Sequence, residues 1–254
     1  MGIHVVTGGA TGIGAAIVGQ LKAQQHTVIV VDIRNADVVA DLSTPEGRQQ
    51  AIAGVLAKAP DGIDGLVACA GLGPAVQPYS LIAKVNYFGA QATVAGLVDA
   101  VAKKRGSIVV ISSNSAPMPG TNEQYINLLL ADKEQEACDL IDTLDGHNAY
   151  AGSKQAITRW MRRQSTAYAA RGVRINAVAP GITKTPLTDK VMSDPVLGDI
   201  IKEFGKSVPT GAIGQPEQIA NGVCFLLSDK ASFVCGSVLF VDGGHDAMLR
   251  PEQF

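Results

Sequence analysis

The segment Gly8-Gly9-Ala10-Thr11-Gly12-Ile13-Gly14 decides the fold through what stands on either side of it. Before it, Ile3-His4-Val5-Val6-Thr7 is a short, mostly apolar, β-prone run. After it, Ala15 to Gln24 carries Ile17, Val18 and Leu21 at helical spacing. Thr27-Val28-Ile29-Val30-Val31 then forms a continuous apolar run ended by Asp32. Strand, glycine turn, helix, strand and acid make one βαβ unit, the opening of a doubly wound parallel sheet. Glycines let the backbone turn tightly and come close to a pyrophosphate, and the helix start offers it unpaired N–H groups. A dinucleotide is therefore expected on Gly8, Thr11, Gly12, Ile13 and Gly14. Asp32 would accept hydrogen bonds from a ribose 2′-hydroxyl and repel a 2′-phosphate, which selects NAD over NADP; Arg34 pulls weakly the other way.

The pattern continues through the chain. Val38 to Leu42 reads as a strand that arrives almost at once after Asp32, so this crossover is abbreviated. Ser43-Thr44-Pro45-Glu46 opens a helix running to about Lys58. Gly65 to Gly71 and Ser107 to Ser113 are buried strands. Between them a helix spans about Leu81 to Lys104 and carries Asn86, a residue that alone reads as an ordinary polar helix position. An excursion from Pro117 to Gly146 has two apolar stripes, Tyr125/Leu128/Leu129 and Ala137/Leu140/Ile141/Leu144, which predicts an inserted helical hairpin breaking at Ala131-Asp132. A further helix runs to Arg171 with Gly172 after it, and Val173 to Val178 forms the next strand. Residues 187–207, with Val196, Leu197, Ile200, Ile201 and Phe204 on one face, predict a substrate lid. Pro216 opens the last helix, and Ser237 to Gly244 is a final strand and turn. No repeat or linker divides residues 1–254, so the expectation is a single Rossmann-type α/β domain.

Within that frame Tyr150 and Lys154 stand one helical turn apart. Alone they could be a surface pair. In a cleft, the ammonium would favour the phenolate and make Tyr150 a general acid/base for an alcohol or carbonyl. The formal charge of −2 over 254 residues provides no electrostatic reason for nucleic acid or an anionic membrane as partner. No apolar run is long enough to span a bilayer, and a cytoplasmic location is expected. Cys69, Cys138, Cys224 and Cys235 lack metal-ligand spacing, as do the four histidines, so no metal is expected. His147 reads as a helix-entry residue.

Several motifs stand in the order of the short-chain dehydrogenase/reductase family: Thr7-Gly8-x-x-x-Gly12-x-Gly14, Ala70-Gly71, Asn86, Ser113, Tyr150-x-x-x-Lys154, Pro180-Gly181 and Val241-Asp242-Gly243-Gly244. The chain resembles that family along its whole length. Within it, Asp41 to Thr44, Cys69 to Pro74, Val85 to Gly89, Ala149 to Lys154 and the tail Met248 to Phe254 are similar to bacterial 3α-hydroxysteroid dehydrogenase/carbonyl reductases. The resemblance implies that Tyr150 exchanges a proton with the substrate oxygen and that Ser113 positions that oxygen. It implies that Lys154 binds the nicotinamide ribose and that Asn86 helps hold a water path from Lys154 to solvent. It also implies Asp41 and Leu42 at the adenine, Ala70 and Gly71 on the adenosine side, and Pro180, Ile182 and Thr185 toward the carboxamide.

Three departures from the family pattern stand out. Cys69 replaces the usual asparagine, removing one polar contact from the central sheet. The interval from Gly71 to Asn86 is short, and that from Ser113 to Tyr150 is long by the hairpin. A protruding hairpin obstructs the helix packing used by tetrameric relatives, so a homodimer is expected. The function expected is reversible NAD(H)-dependent oxidation of a secondary alcohol on a bulky apolar substrate, with Ser115, Met118, Leu187 and Met192 as further pocket residues. A cyclic terpene alcohol or a xenobiotic ketone remains an alternative to a steroid. The hairpin and lid stripes could instead simply pack onto the domain. A non-catalytic NAD sensor, or an epimerase or dehydratase, would also fit the fold.

Overall fold

The computed structural model describes residues 1–193 and 198–253. Val196 and Leu197 of the expected lid face and the terminal Phe254 lie outside them, and so do the side chains of Ile200 and Ile201. Strands β1 (Ile3–Thr7), β2 (Thr27–Asp32), β3 (Val38–Val39), β4 (Gly65–Ala68), β5 (Ser107–Ile111), β6 (Arg174–Pro180) and β7 (Val238–Val241) form one parallel sheet in the order β3-β2-β1-β4-β5-β6-β7. The register runs from His4 opposite Val28 and Gly65 to Val109 opposite Asn176. Chain order reverses between β1 and β4, so the C-terminal ends of these two strands flank the switch point where open α/β sheets bind ligands. The central strands β4 and β5 are buried throughout because both faces are covered.

On one face lie α1 (Gly12–Ala23) and α10 (Pro216–Leu227), which bury Ile17, Val18, Leu21, Ile219, Val223 and Leu226 against Val6, Val30, Val67 and Val109. On the other lie α2 (Pro45–Lys58), α4 (Ala90–Lys103) and α7 (Gly146–Ala169), with Tyr87, Leu97, Ile157 and Met161 in their core. Thr44 caps α2 by accepting the Gly47 amide at 3.0 Å.

Four expectations change. The third strand is two residues rather than five, because the chain turns outward at Asp41, whose carboxylate accepts the Ser43 amide. The helix expected over 81–104 is continuous from Ser80, as α3 (Ser80–Ala83) and α4, but between them Lys84–Gly89 is π-helical. The helix carrying Tyr150 stops at Ala169, and Gly172 turns the chain at φ +77°. The helix from Pro216 is not the last, since α11 (His245–Leu249) follows β7.

The inserted hairpin is α5 (Glu123–Leu130) and α6 (Glu134–Ile141), broken at Asp132 with φ +59°. Its buried faces, Tyr125/Ile126/Leu129 and Ala137/Cys138/Ile141, join the main core, while Leu128, Leu140 and Leu144 are only partly buried. Asp142 accepts the Ser80 amide at 2.7 Å, and Asn148 accepts that of Asn122 at 2.7 Å, so the hairpin is fastened to α3 and α7.

The end of α10 is closed from across the sheet. Arg174 donates to the carbonyls of Leu226 (2.9 Å) and Ser228 (3.2 Å), and more loosely to Leu227 and Val234. Those of Leu226, Leu227 and Ser228 are the orphan carbonyls a helix terminus leaves. Arg174→Met is expected to lower stability by about 2 kcal/mol, since several acceptors lose a charged donor at once. Chemical denaturation of the two chains measures it.

Among the described residues no helix is long and apolar enough to cross a membrane.

Candidate active site

Helix α7 begins where Asp145 accepts the Asn148 amide at 2.8 Å, which sets Tyr150 and Lys154 on the face turned toward β5. His147 is exposed at this entry. Lys154 is 5% exposed, and its Nζ donates to the carbonyl of Ile111, the last residue of β5, at 2.8 Å. The ammonium lies 5.9 Å from the centre of the Tyr150 ring. Two residues past β5, Ser113 stands beside Tyr150, near enough for its hydroxyl to lower the phenol's pKa. Ser113 Oγ also accepts from the amide of Ser115 (3.1 Å) and from its hydroxyl (2.9 Å). Both acceptor sites are then filled, leaving the Ser113 hydroxyl as a donor toward Tyr150 or an arriving oxygen.

Asn86 is almost fully buried in the π turn. Its Oδ1 accepts the Leu72 amide at 2.7 Å, and its Nδ2 donates to the Leu72 carbonyl at 3.0 Å and to Ser153 Oγ at 3.3 Å. Ser153 in turn donates to the Tyr150 carbonyl at 2.8 Å. The Asn86 side chain thus clamps the segment after β4 to the Tyr150 helix. Gly71 lies beside both groups, since a Cβ there would stand 3.4 Å from Asn86 Oδ1 and 3.5 Å from Lys154 Nζ.

Enclosure sets the electrostatics of both groups. Burial pushes the Tyr150 pKa up, and the neighbouring Ser113 hydroxyl pulls it the other way. Burial lowers Lys154 to about 8, opposed by the neighbouring Cys69. Between pH 8 and the unfolded lysine value near 10.5 the unfolded chain binds the proton and the folded chain does not. Stability from this group therefore rises with pH across that window. Lys154→Met is expected to flatten the rise, seen by comparing melting temperatures of both chains from pH 7 to 10.

The glycine segment is a cradle of backbone. Gly8 and Gly12 have φ of +67° and +55°, and a Cβ on Gly14 would sit 2.1 Å from the Gly8 carbonyl oxygen. Thr11 is the N-cap residue before α1, and Ile13 in its first turn is partly buried against the core. Asp32 Oδ2 accepts the Ala10 amide at 3.0 Å, tying the glycine segment to β2. Thr185 caps α8 (Pro186–Met192) and lies against Gly12. Pro180 accepts the Asn114 amide, and Ile182 that of Gly214. Asp41 is exposed and Leu42 buried.

Of the further pocket residues, Ser115 is bonded to Ser113, and Met118 closes the next turn on the Ser115 carbonyl. Leu187 covers Gly73. Met192 lines a groove with Glu203 and Ile213 whose described walls include neither Ser113 nor Tyr150. Two contributors escaped the sequence reading. Thr7 Oγ1 accepts the amides of Cys69 (3.0 Å) and Ala70 (3.1 Å), joining β1 to β4 where Cys69 offers no polar side chain. Ser153, three residues past Tyr150, shares its helix face and was legible by that spacing.

Residues 3–125 match the family model described as short chain dehydrogenase, and residues 140–246 one described as Enoyl-(Acyl carrier protein) reductase. The 3-alpha-hydroxysteroid dehydrogenase/carbonyl reductase of Comamonas testosteroni is 42% identical over 259 positions, covering 100% of both chains. The cis-4-hydroxycyclohexanecarboxylate dehydrogenase of Sinomonas cyclohexanicum is 28% identical, covering 97% of each. Among solved structures, the 3-alpha-hydroxysteroid dehydrogenase from Pseudomonas sp. B-0831 complexed with NADH superposes with a TM-score of 0.97 at 42% identity, over 99% of this chain and 100% of that one. These likenesses run over the whole chain, and the chain belongs to the short-chain dehydrogenase family.

Proposed function

We propose that the protein is an NAD(H)-dependent alcohol dehydrogenase and ketone reductase. The observation that carries the reading is the convergence of the Tyr150 phenol, the Ser113 hydroxyl and the Lys154 ammonium beside a glycine cradle in which Gly8 and Gly14 leave no room for a Cβ. Bound NAD would supply the hydride acceptor, and NADH the hydride donor. Gly8, Gly12 and Gly14 would hold the pyrophosphate, Asp32 the adenosine ribose, and Lys154 the nicotinamide ribose. Ser113 donates a hydrogen bond to the substrate oxygen and orients it. Tyr150 gives that oxygen a proton in reduction and takes the hydroxyl proton in oxidation. Because burial holds Tyr150 protonated, it is poised as the acid, so oxidation is expected to quicken as pH rises and reduction as it falls.

A substrate with a bulky hydrocarbon frame suits the reading, and the Comamonas and Pseudomonas relatives, both named for 3α-hydroxysteroids, favour a hydroxysteroid. The Sinomonas relative, named for a substituted cyclohexanol, supports a smaller cyclic alcohol as the second reading. Association as a homodimer fits two features. The hairpin covers α3 and α7, and the edge strand β7 lies beside α10 with Phe225 and Phe233 exposed. Free cysteines throughout fit a cytoplasmic setting. NADH absorbance is followed with steroids, cyclic alcohols and aromatic ketones, and light scattering determines the mass. Turnover of 3α-hydroxysteroids with NAD is expected. Activity confined to small polar alcohols, or strong preference for NADPH, would refute the reading, and a tetramer would refute the dimer.

A further inference from the structure

We infer that Arg48 is a positioning residue through which Glu134 of the inserted hairpin sets coenzyme affinity on the adenosine side. The inference rests on the coenzyme reading above. Arg48, on α2, is 6% exposed, so its guanidinium needs fixed partners. Its Nε donates to the carbonyl of Leu42 at 2.9 Å, and its Nη2 to those of Ser43 (3.3 Å) and Lys84 (3.2 Å). Its two Nη atoms meet the two carboxylate oxygens of Glu134 at 2.6 and 2.7 Å, a fork-to-fork pair. The guanidinium also lies 5.7 Å from the centre of the Phe88 ring, in the π turn.

Three segments distant in sequence therefore meet on one cation: the 41–43 loop, the π turn and the first residue of α6. The loop needs the tether. Strand β3 ends after two residues, so the ladder that would ordinarily hold the next residues is absent there. Loop and sheet remain joined by the Ala40 amide on the Asp32 carbonyl, and Asp32 is the proposed ribose acceptor. Neutralising Glu134 leaves a buried cation without its counter-charge. The guanidinium then turns toward water and releases the Leu42 and Ser43 carbonyls.

The test uses the full chain. NADH binding is read by fluorescence and ADP-ribose binding by calorimetry, in the parent, in Glu134→Gln and in Glu136→Gln. The last is a control, because Glu136 makes only an exposed pair with Lys133. Glu134→Gln is expected to weaken both ligands roughly tenfold, while Glu136→Gln changes neither and kcat at saturating NAD is kept. Arg48→Lys, which keeps the charge but loses the fork, gives the same loss and decides the matter if Glu134→Gln does not fold. A lower melting temperature with unchanged ADP-ribose affinity would make the pair purely structural and overturn the inference alone. A parent chain that binds no NADH would overturn the coenzyme reading and the inference with it.

Discussion

Tyr150→Phe is expected to lower kcat by roughly 10²–10⁴-fold, the contribution of a positioned proton donor. The reason lies in how few alternatives surround the reacting oxygen. Ser113 can donate to it, but both Ser113 acceptor sites are occupied by Ser115, so Ser113 cannot relay a proton onward without breaking that turn. Lys154 is bonded to Ile111, its ammonium 5.9 Å from the centre of the Tyr150 ring. Removing one hydroxyl costs the fold at most about 1 kcal/mol, so the variant should still bind NADH. Stopped-flow turnover, with NADH titration as the binding control, makes the measurement. Turnover at the parent's rate in a folded, coenzyme-bound variant would remove the phenol from the mechanism. A protein that merely sensed NAD would bind it equally well in both chains and turn over nothing in either.

Gly14→Ala is expected to weaken NADH binding at least roughly a hundredfold, the scale of a displacement of about 1 Å in a positioned site. The added methyl would lie 2.1 Å from the Gly8 carbonyl oxygen and 3.0 Å from Gly9 Cα, both backbone, so no side chain can swing aside. Either α1 retreats or the Gly8–Gly9 turn does. Both movements withdraw the N–H groups that would face the pyrophosphate. Gly19, on the same helix, has nothing within 4 Å of its Cβ position and serves as the control, since Gly19→Ala should bind NADH like the parent. Isothermal titration separates them, and equal affinities for Gly14→Ala and the parent would remove the cradle from its assigned role.

Legibility in the sequence followed the range of the interactions. The glycine unit, the buried strands and the hairpin were readable because periodicity and turn chemistry are local, and α5 and α6 break where Asp132 was expected to break them. Tyr150 and Lys154 were readable because helix geometry puts i and i+4 on one face. What was not readable depends on tertiary partners. The shortness of β3 follows from a turn at Asp41 that competes with the ladder. The upward push of burial on the Tyr150 pKa depends on enclosure, which spacing cannot express. Asn86 reads as an ordinary helix residue until Leu72 is brought to it. Thr7 looks like the end of a strand, yet its hydroxyl joins β1 to β4 where the side chain at position 69 does not.

The wide turn at Lys84–Gly89 carries a consequence for how this chain tolerates change in length. Such a turn holds one residue more than an ordinary helical turn. Deleting a residue within it would restore regular winding, but everything on one side would rotate by about 100° relative to the other. Asn86 would then swing away from Leu72 and Ser153, while α4 kept its grip on the sheet. The surplus residue is therefore a phase adjustment between a helix fitted to the core and a carboxamide fitted to the cleft. Homologues that lose it would have to compensate elsewhere in the segment between Gly71 and Ser80.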